Sequence, residues 1–185
     1  MNNLPNDFYI FLSELESNNN KEWFDLNRKR YENNVKKPFE NFVSNCILAV
    51  QKIDSKIQIN ASQAIFRINK DIRFSKDKSP YKTNMGVWFT QNKFRKNSPG
   101  YYIHFEKGNS FIAGGVWCPE PEELKRIRKE IAFFYEDLDK IVNDKNFKKV
   151  FKEMTRDENN TLKKAPKDFD PNHPAIDFLK LKSYT

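Results

Sequence analysis

The sequence predicts an α+β fold: an antiparallel sheet of about four to five strands packed with N-terminal helices, and a long helix after the sheet. Three observations predict it. Apolar residues recur in steps of three and four through about residue 54, alternate between residues 60 and 118, and resume the helical step from 121 to 182. A chain of 185 residues with no linker long enough to divide it is expected to be one domain, 1–185, built from helices 5–54, sheet 60–118 and helices 121–182.

The elements follow in order. Phe8, Phe11, Leu12 and Leu15 form an apolar stripe after Pro5 and Asp7. Asn20 is suited to cap a second helix that carries Phe24, Tyr31 and Val35 on one face. Pro38 fits the first position of a third helix, with Phe39, Phe42, Cys46, Ile47, Val50 and Ile53 inward. The period then changes. "QAIFRINKDIRF" sets Phe66, Ile68 and Ile72 against Arg67, Asn69, Asp71 and Arg73, and "NMGVWFTQ", "GYYIHFE" and "SFIAGGVW" follow as strand-like runs. "EKGNSF" reads as a hairpin turn, and strands so close in sequence favour an antiparallel meander. Pro119 and Pro121 end the sheet. Leu124, Ile127, Ile131, Phe134, Leu138 and Ile141 then mark one long helix with Glu122 and Glu123 in its first turn.

Composition narrows the class. With 31% charged residues, and no apolar run near the roughly 20 residues that a bilayer helix needs, no membrane association is expected. The start "MNNLPNDFYIFLSELE" lacks a basic n-region and a small-residue cleavage site. Cys46 and Cys118 match neither a disulfide framework nor a zinc pattern, so buried thiols in a reducing cytoplasm are the expectation. The net charge of +8 is concentrated. Residues 65–105 hold nine Lys or Arg against two acids, whereas the remainder holds 24 against 23. Such focusing concentrates anions locally.

The densest part is "RINKDIRFSKDKSPYKT", residues 67–83. Pro80 is poorly tolerated inside a central strand, so this stretch predicts a loop between strands. Its candidate ligand-binding residues are Arg67, Arg73, Lys76, Lys78, Tyr81 and Lys82. Arginine is the sharper pointer, because its planar fork binds carboxylate or phosphate bidentately. The competing reading is a solvated loop in which Asp71 and Asp77 pair with their neighbours. Alternation also places Tyr102, His104 and Glu106 on one strand side, with Trp88 on a neighbouring strand, and Tyr102 and Trp88 join the candidate ligand-binding residues. His104 and Asp71 are therefore the candidate proton handlers, although a lone strand histidine is more often a hydrogen-bonded structural residue. Arg128 borders the apolar stripe of the long helix and joins the candidate ligand set. Gly114 and Gly115 leave space for a bulge or a close approach.

Several signatures are missing. The chain has no G-x-x-x-x-G-K-[ST], no G-x-G-x-x-G, no H-E-x-x-H and no G-x-S-x-G, and its two histidines, His104 and His173, are far apart. No cofactor and no metal site is implied.

The strings "NNNKEWF", "IFRINKDIRFSKDKSPYKTNMGVWF", "PGYYIHFE", "GGVWCPEPEELKRIRKEI", "LKKAPKDFDPNHP" and "DFLKLKSY" occur in that order. In order and wording the chain resembles a widespread family of bacterial and fungal conserved hypothetical proteins, catalogued as domain of unknown function two-four-six-one. The resemblance covers nearly the whole chain and implies a single compact domain, with no reaction, cofactor or catalytic residue attached. Arg67 through Lys82 fall in its central signature, Tyr102, His104, Gly114, Gly115 and Trp117 in its sheet portion, and Arg128 in its helix. Asp168 departs from it, standing where the family pattern commonly has Gly, and similar proteins usually continue beyond "LKLKSYT".

Three functional readings result. The first is a binding or catalytic site for an anionic small molecule bearing phosphate or carboxylate. The second is a nucleic-acid-binding module in which Phe74, Tyr81, Trp88 and Phe94 stack bases beside the basic residues. The third is a structural or protein-interaction domain. The near-neutral remainder of the chain favours the first.

Overall fold

A computed structural model describes residues 4–91 and 98–185, which fall into two compact units: residues up to 91 together with Gly100–Gly114, and residues 98–99 together with Gly115–Thr185. Phe94, Lys93, Arg95 and Lys96 lie outside the described residues.

In the first unit, Asn6–Ser17 (α1) buries Phe8, Phe11, Leu12 and Leu15. The Asn20 side chain accepts the Trp23 amide at 2.9 Å and so starts Lys21–Leu26 (α2). Where two helices were expected after this point, Arg28–Arg30 (α3), a π-helical Tyr31–Lys36 and Lys37–Gln51 (α4) run on with helical backbone throughout. Pro38 explains the wide turn. A proline ring inside a helix collides with the carbonyl four residues back, and the π turn that precedes it relieves that contact. Because α4 ends at Gln51, Ile53 is exposed rather than inward, and Val43 is buried instead.

Arg30 holds the helices together. Its guanidinium donates to both oxygens of Asp7 and to Glu14 Oε2 at 2.5 Å, and it lies 5.6 Å from the centre of the Phe11 ring. These partners keep the Asp7 carboxyl below its ordinary range, Arg30 first and Asn34 second.

The expected four to five strands reduce to three among the described residues. Met85–Thr90 (β1), Gly100–Phe105 (β2) and Phe111–Gly115 (β3) form one antiparallel sheet in sequence order. The run 63–74 is not a strand beyond its isolated bridges, Ile65↔Val87 and Asn69↔Tyr81. Four residues on one side span six on the other, so no continuous ladder forms, and Pro80 has no amide proton to give. Three backbone bonds still fasten the run: Phe66 N–H to Gly86 O, Lys82 N–H to Ile68 O and Lys70 N–H to Pro80 O, at 2.8–3.0 Å. Between them and α4 lies Ala61–Ala64 (α5), started by a capping box of Asn60 and Gln63. Met85, Val87 and Phe89 pack with Ile103 and Phe105 against the apolar faces of α1 and α4.

In the second unit the expected long helix breaks at Phe134, whose backbone leaves the helical region. Pro121–Phe133 (α6), Tyr135–Asn143 (α7) and Lys145–Phe151 (α8) result. The break shifts the phase of the stripe. Phe134 and Ile141, expected inward, are 51% and 59% exposed, while Tyr135 and Val142 join Leu124, Ile127, Ile131 and Leu138 around the core. Ile176–Leu179 (α9) and the chain end supply Phe178, Leu179, Leu181 and Tyr184. Gly115 serves a close approach. At φ +132° it lies where a Cβ would meet Tyr184 O at 1.9 Å, which lets Val116 and Tyr184 exchange backbone bonds. Burial is corrected for the thiols: Cys46 is half-buried and Cys118 exposed. No helix among the described residues is long and apolar enough to cross a membrane.

Candidate functional site

The register of β1 and β2 pairs Gly86 with His104 and Trp88 with Tyr102. Partners in an antiparallel ladder share a face, so these four stand opposite the core-facing Met85, Val87 and Phe89. His104 lies flat on Phe111, with ring centres 4.9 Å apart and planes at 13°. Its Nδ1 is 2.9 Å from the Tyr102 hydroxyl, and its Nε2 is 3.4 Å from Glu106 Oε2. Burial and then the charge of Glu106 push the Tyr102 hydroxyl up, so it keeps its proton at neutral pH. A protonated hydroxyl can donate to Nδ1 or accept from it, as the imidazole tautomer requires, while Nε2 faces Glu106. Carboxylate, imidazole and phenol thus stand in line.

Gly86 makes this possible. A Cβ there would stand 2.9 Å from the Tyr102 hydroxyl oxygen and 3.1 Å from Phe66 Cδ2. Only a bare strand lets the Tyr102 ring cross at that height. Trp88 lies one step along, half-buried, with its indole over Gly100. On the other side of Gly86, Lys82 Nζ sits 5.3 Å from the centre of the Phe66 ring. Burial, and secondly the positive charge of Arg67, hold the Lys82 ammonium below its ordinary value. Among the described residues neither Arg67 nor Lys82 is ion-paired. Two cations therefore lie near one another beside an aromatic face without a direct ion pair, the Asp71 carboxylate acting on Arg67 only at longer range.

The loop between Lys70 and Pro80 is organised differently. Arg73 binds Asp71 through two bonds of 2.9 and 2.7 Å. Lys70 Nζ donates to Asp77 Oδ2 and to Ser79 Oγ, both at 2.7 Å. Asp77 also accepts from the Ser79 amide and hydroxyl, and the Lys70 bond first, then those of Ser79, keep its carboxyl well below the usual range. Lys78 Nζ donates to the Ile72 carbonyl. Tyr81 anchors the loop: it is 5% exposed, stacks on Phe24 with ring centres 4.0 Å apart, and its backbone makes two bonds to the Asn19 side chain.

The candidate residues consequently separate. Lys82, Tyr102 and His104 come together around Phe66 and Phe111, with Trp88 beside them, while Arg67 is exposed and acts on Lys82 through its charge. Arg73, Asp71 and Lys78 make bonds inside the loop, Lys76 is exposed on it, and Tyr81 is in the core. Arg128 belongs to the second unit, where its Nη2 donates to the Leu181 carbonyl at 2.9 Å. Phe66, Gly86, Glu106 and Phe111 complete the sheet-face group without having been candidates. Gly86 carried a readable signal, a glycine inside a strand pattern, whereas the other three read as ordinary strand residues. No group of three or more His, Cys, Asp or Glu able to hold a metal ion occurs among the described residues.

No curated protein and no solved structure matches the chain. A family model does, across residues 7–185. The chain therefore belongs to the conserved hypothetical protein family DUF2461.

Proposed function

We propose that the first unit binds an anionic small molecule, bearing phosphate or carboxylate, on the sheet face between Arg67 and Lys82. One observation carries the reading: Lys82 is half-buried beside a second cation, and no counter-ion meets either group among the described residues. Holding two positive charges together costs free energy that an arriving anion returns. The Phe66 and Tyr102 rings offer an apolar floor for the rest of the ligand. Asp71 is kept ionised by Arg73, so proton transfer in any reaction here falls to His104, with Tyr102 and Glu106 in line.

The test is a thermal-shift screen of phosphorylated and dicarboxylated metabolites, followed by calorimetry on Arg67→Gln and Lys82→Gln. The expected result is at least one ligand whose affinity falls about tenfold or more in each variant, as for a lost charge-assisted bond. A screen without hits, or variants that bind like the wild type, refutes it.

One observation favours a second reading. Phe74 is 96% exposed at the loop tip, with the Arg73 guanidinium 5.9 Å from its ring. An exposed aromatic with a flanking arginine suits base stacking. On this reading, binding to a random single-stranded oligonucleotide falls steeply with salt and is lost in Phe74→Ala. The sheet-face reading expects neither.

A further inference from the structure

The second unit contains a cavity of about 330 Å³ between α7, α8 and α9, remote in sequence from the residues of the sheet face. Three cations line it, Lys148, Lys152 and Arg156, and so do three carboxylates, Asp139, Glu153 and Asp177. Asp139 is half-buried and the other five are exposed at the cavity's rim. Here none of the six forms an ion pair among the described residues. Asp139 instead accepts from the Tyr135 hydroxyl at 3.4 Å and from Asn143 Nδ2 at 2.9 Å. The Arg156 guanidinium lies 4.7 Å from the centre of the Phe178 ring.

The wall is also strained at one point. Lys152 has φ +63° and ψ −68°, and the Glu153 amide bonds back to Phe151 O at 2.8 Å. That is a γ-turn with positive φ, a conformation that costs a non-glycine residue about 1–3 kcal/mol. The two residues it carries, Lys152 and Glu153, both line the cavity. Outside functional sites such strain is rare.

We infer that this cavity binds a small zwitterion, an ammonium and a carboxylate on one compact apolar frame, as in a free amino acid. The charge pattern selects the class. A simple anion gains from the three cations but meets three carboxylates, and a simple cation meets the reverse. A ligand carrying both charges satisfies groups that the protein leaves apart. Val142, Met154 and Phe178 give its frame an apolar wall, and the volume lies at the small end of the range for small-molecule sites.

The test is an amide NMR titration of the full chain with the twenty free L-amino acids. It is repeated for the best binder with its decarboxylated amine and its deaminated acid. Saturable shifts are expected at residues 139–143, 148–156 and 177–178, with each singly charged analogue weaker by about tenfold or more. Arg156→Gln and Asp177→Asn, on opposite charges, should each weaken binding similarly while keeping a dispersed spectrum. The inference is overturned if no amino acid shifts these amides, if a singly charged analogue binds as tightly, or if both variants bind like the wild type.

Discussion

Replacing Gly86 by Ala probes the geometry of the sheet face with one methyl group. The Gly86 backbone is not in the left-handed region, so alanine meets no φ penalty there. In the unfolded chain alanine has less freedom, which on its own stabilises the protein by about 0.4–1 kcal/mol. Against this, the Cβ arrives 2.9 Å from the Tyr102 hydroxyl oxygen, 3.2 Å from Tyr102 Cε2 and 3.1 Å from Phe66 Cδ2. Overpacking of that kind costs about 1–3 kcal/mol. Turning Tyr102 aside also gives up its bond to His104 Nδ1, worth about 0.5–1.5 kcal/mol. The net expectation is a loss of about 1–3 kcal/mol, read from urea denaturation with an unchanged slope. A double-mutant cycle with Phe66→Leu should recover part of the loss, because the smaller side chain leaves room for the methyl. A Gly86→Ala protein as stable as the wild type, with the His104 ring resonances unmoved, would refute the packing described for this face.

Three further outcomes follow from groups elsewhere. Arg30→Gln strands the half-buried Asp7 and Glu14 without their cation and should cost about 1–2 kcal/mol in urea unfolding, between the exposed and buried limits for ion pairs. The same pair sets an acid limb. Asp7 has a lowered folded pKa, so its stabilisation is complete above its unfolded value of 3.8 and disappears as pH falls through the folded one; Asp7→Asn should flatten stability against pH there. Lys152→Gly relieves a positive-φ γ-turn and should raise the midpoint of thermal unfolding, since the relieved strain outweighs the added chain entropy.

Much of the fold was legible because periodicity reports burial. Phe8, Phe11, Leu12 and Leu15, the Asn20 cap and the three strands with their hairpin all lie where local pattern puts them. What was not legible depends on register and backbone breaks. Nothing in "AIFRINKD" reveals that four residues will span six opposite and so fail to ladder. Nothing in "AFFYED" marks Phe134 as a helix end, since the apolar stripe continues through it in the wrong phase. The site divides in the same way. His104 and Tyr102 were found by strand alternation, which survives small errors of boundary. The loop cations were read as a group because charge is visible in sequence, and local pairing by Asp71 and Asp77 was the competing reading; which cation each takes, and the Lys78 bond to Ile72 O, are products of the folded loop. Arg67 and Lys82 form no ion pair with the loop carboxylates, although the charge of Arg67 acts on Asp71.

The central claim is that Lys82 is kept in an uncomfortable charged state that an anion relieves. Its ammonium can be titrated directly by NMR on selectively labelled lysine side chains, without and with saturating inorganic phosphate. The expected result is a pKa below the ordinary 10.5 in the free protein, a rise when phosphate is added, and a rise of the free value in Arg67→Gln. A Lys82 that titrates at or above 10.5, indifferent to both phosphate and Arg67, would contradict it.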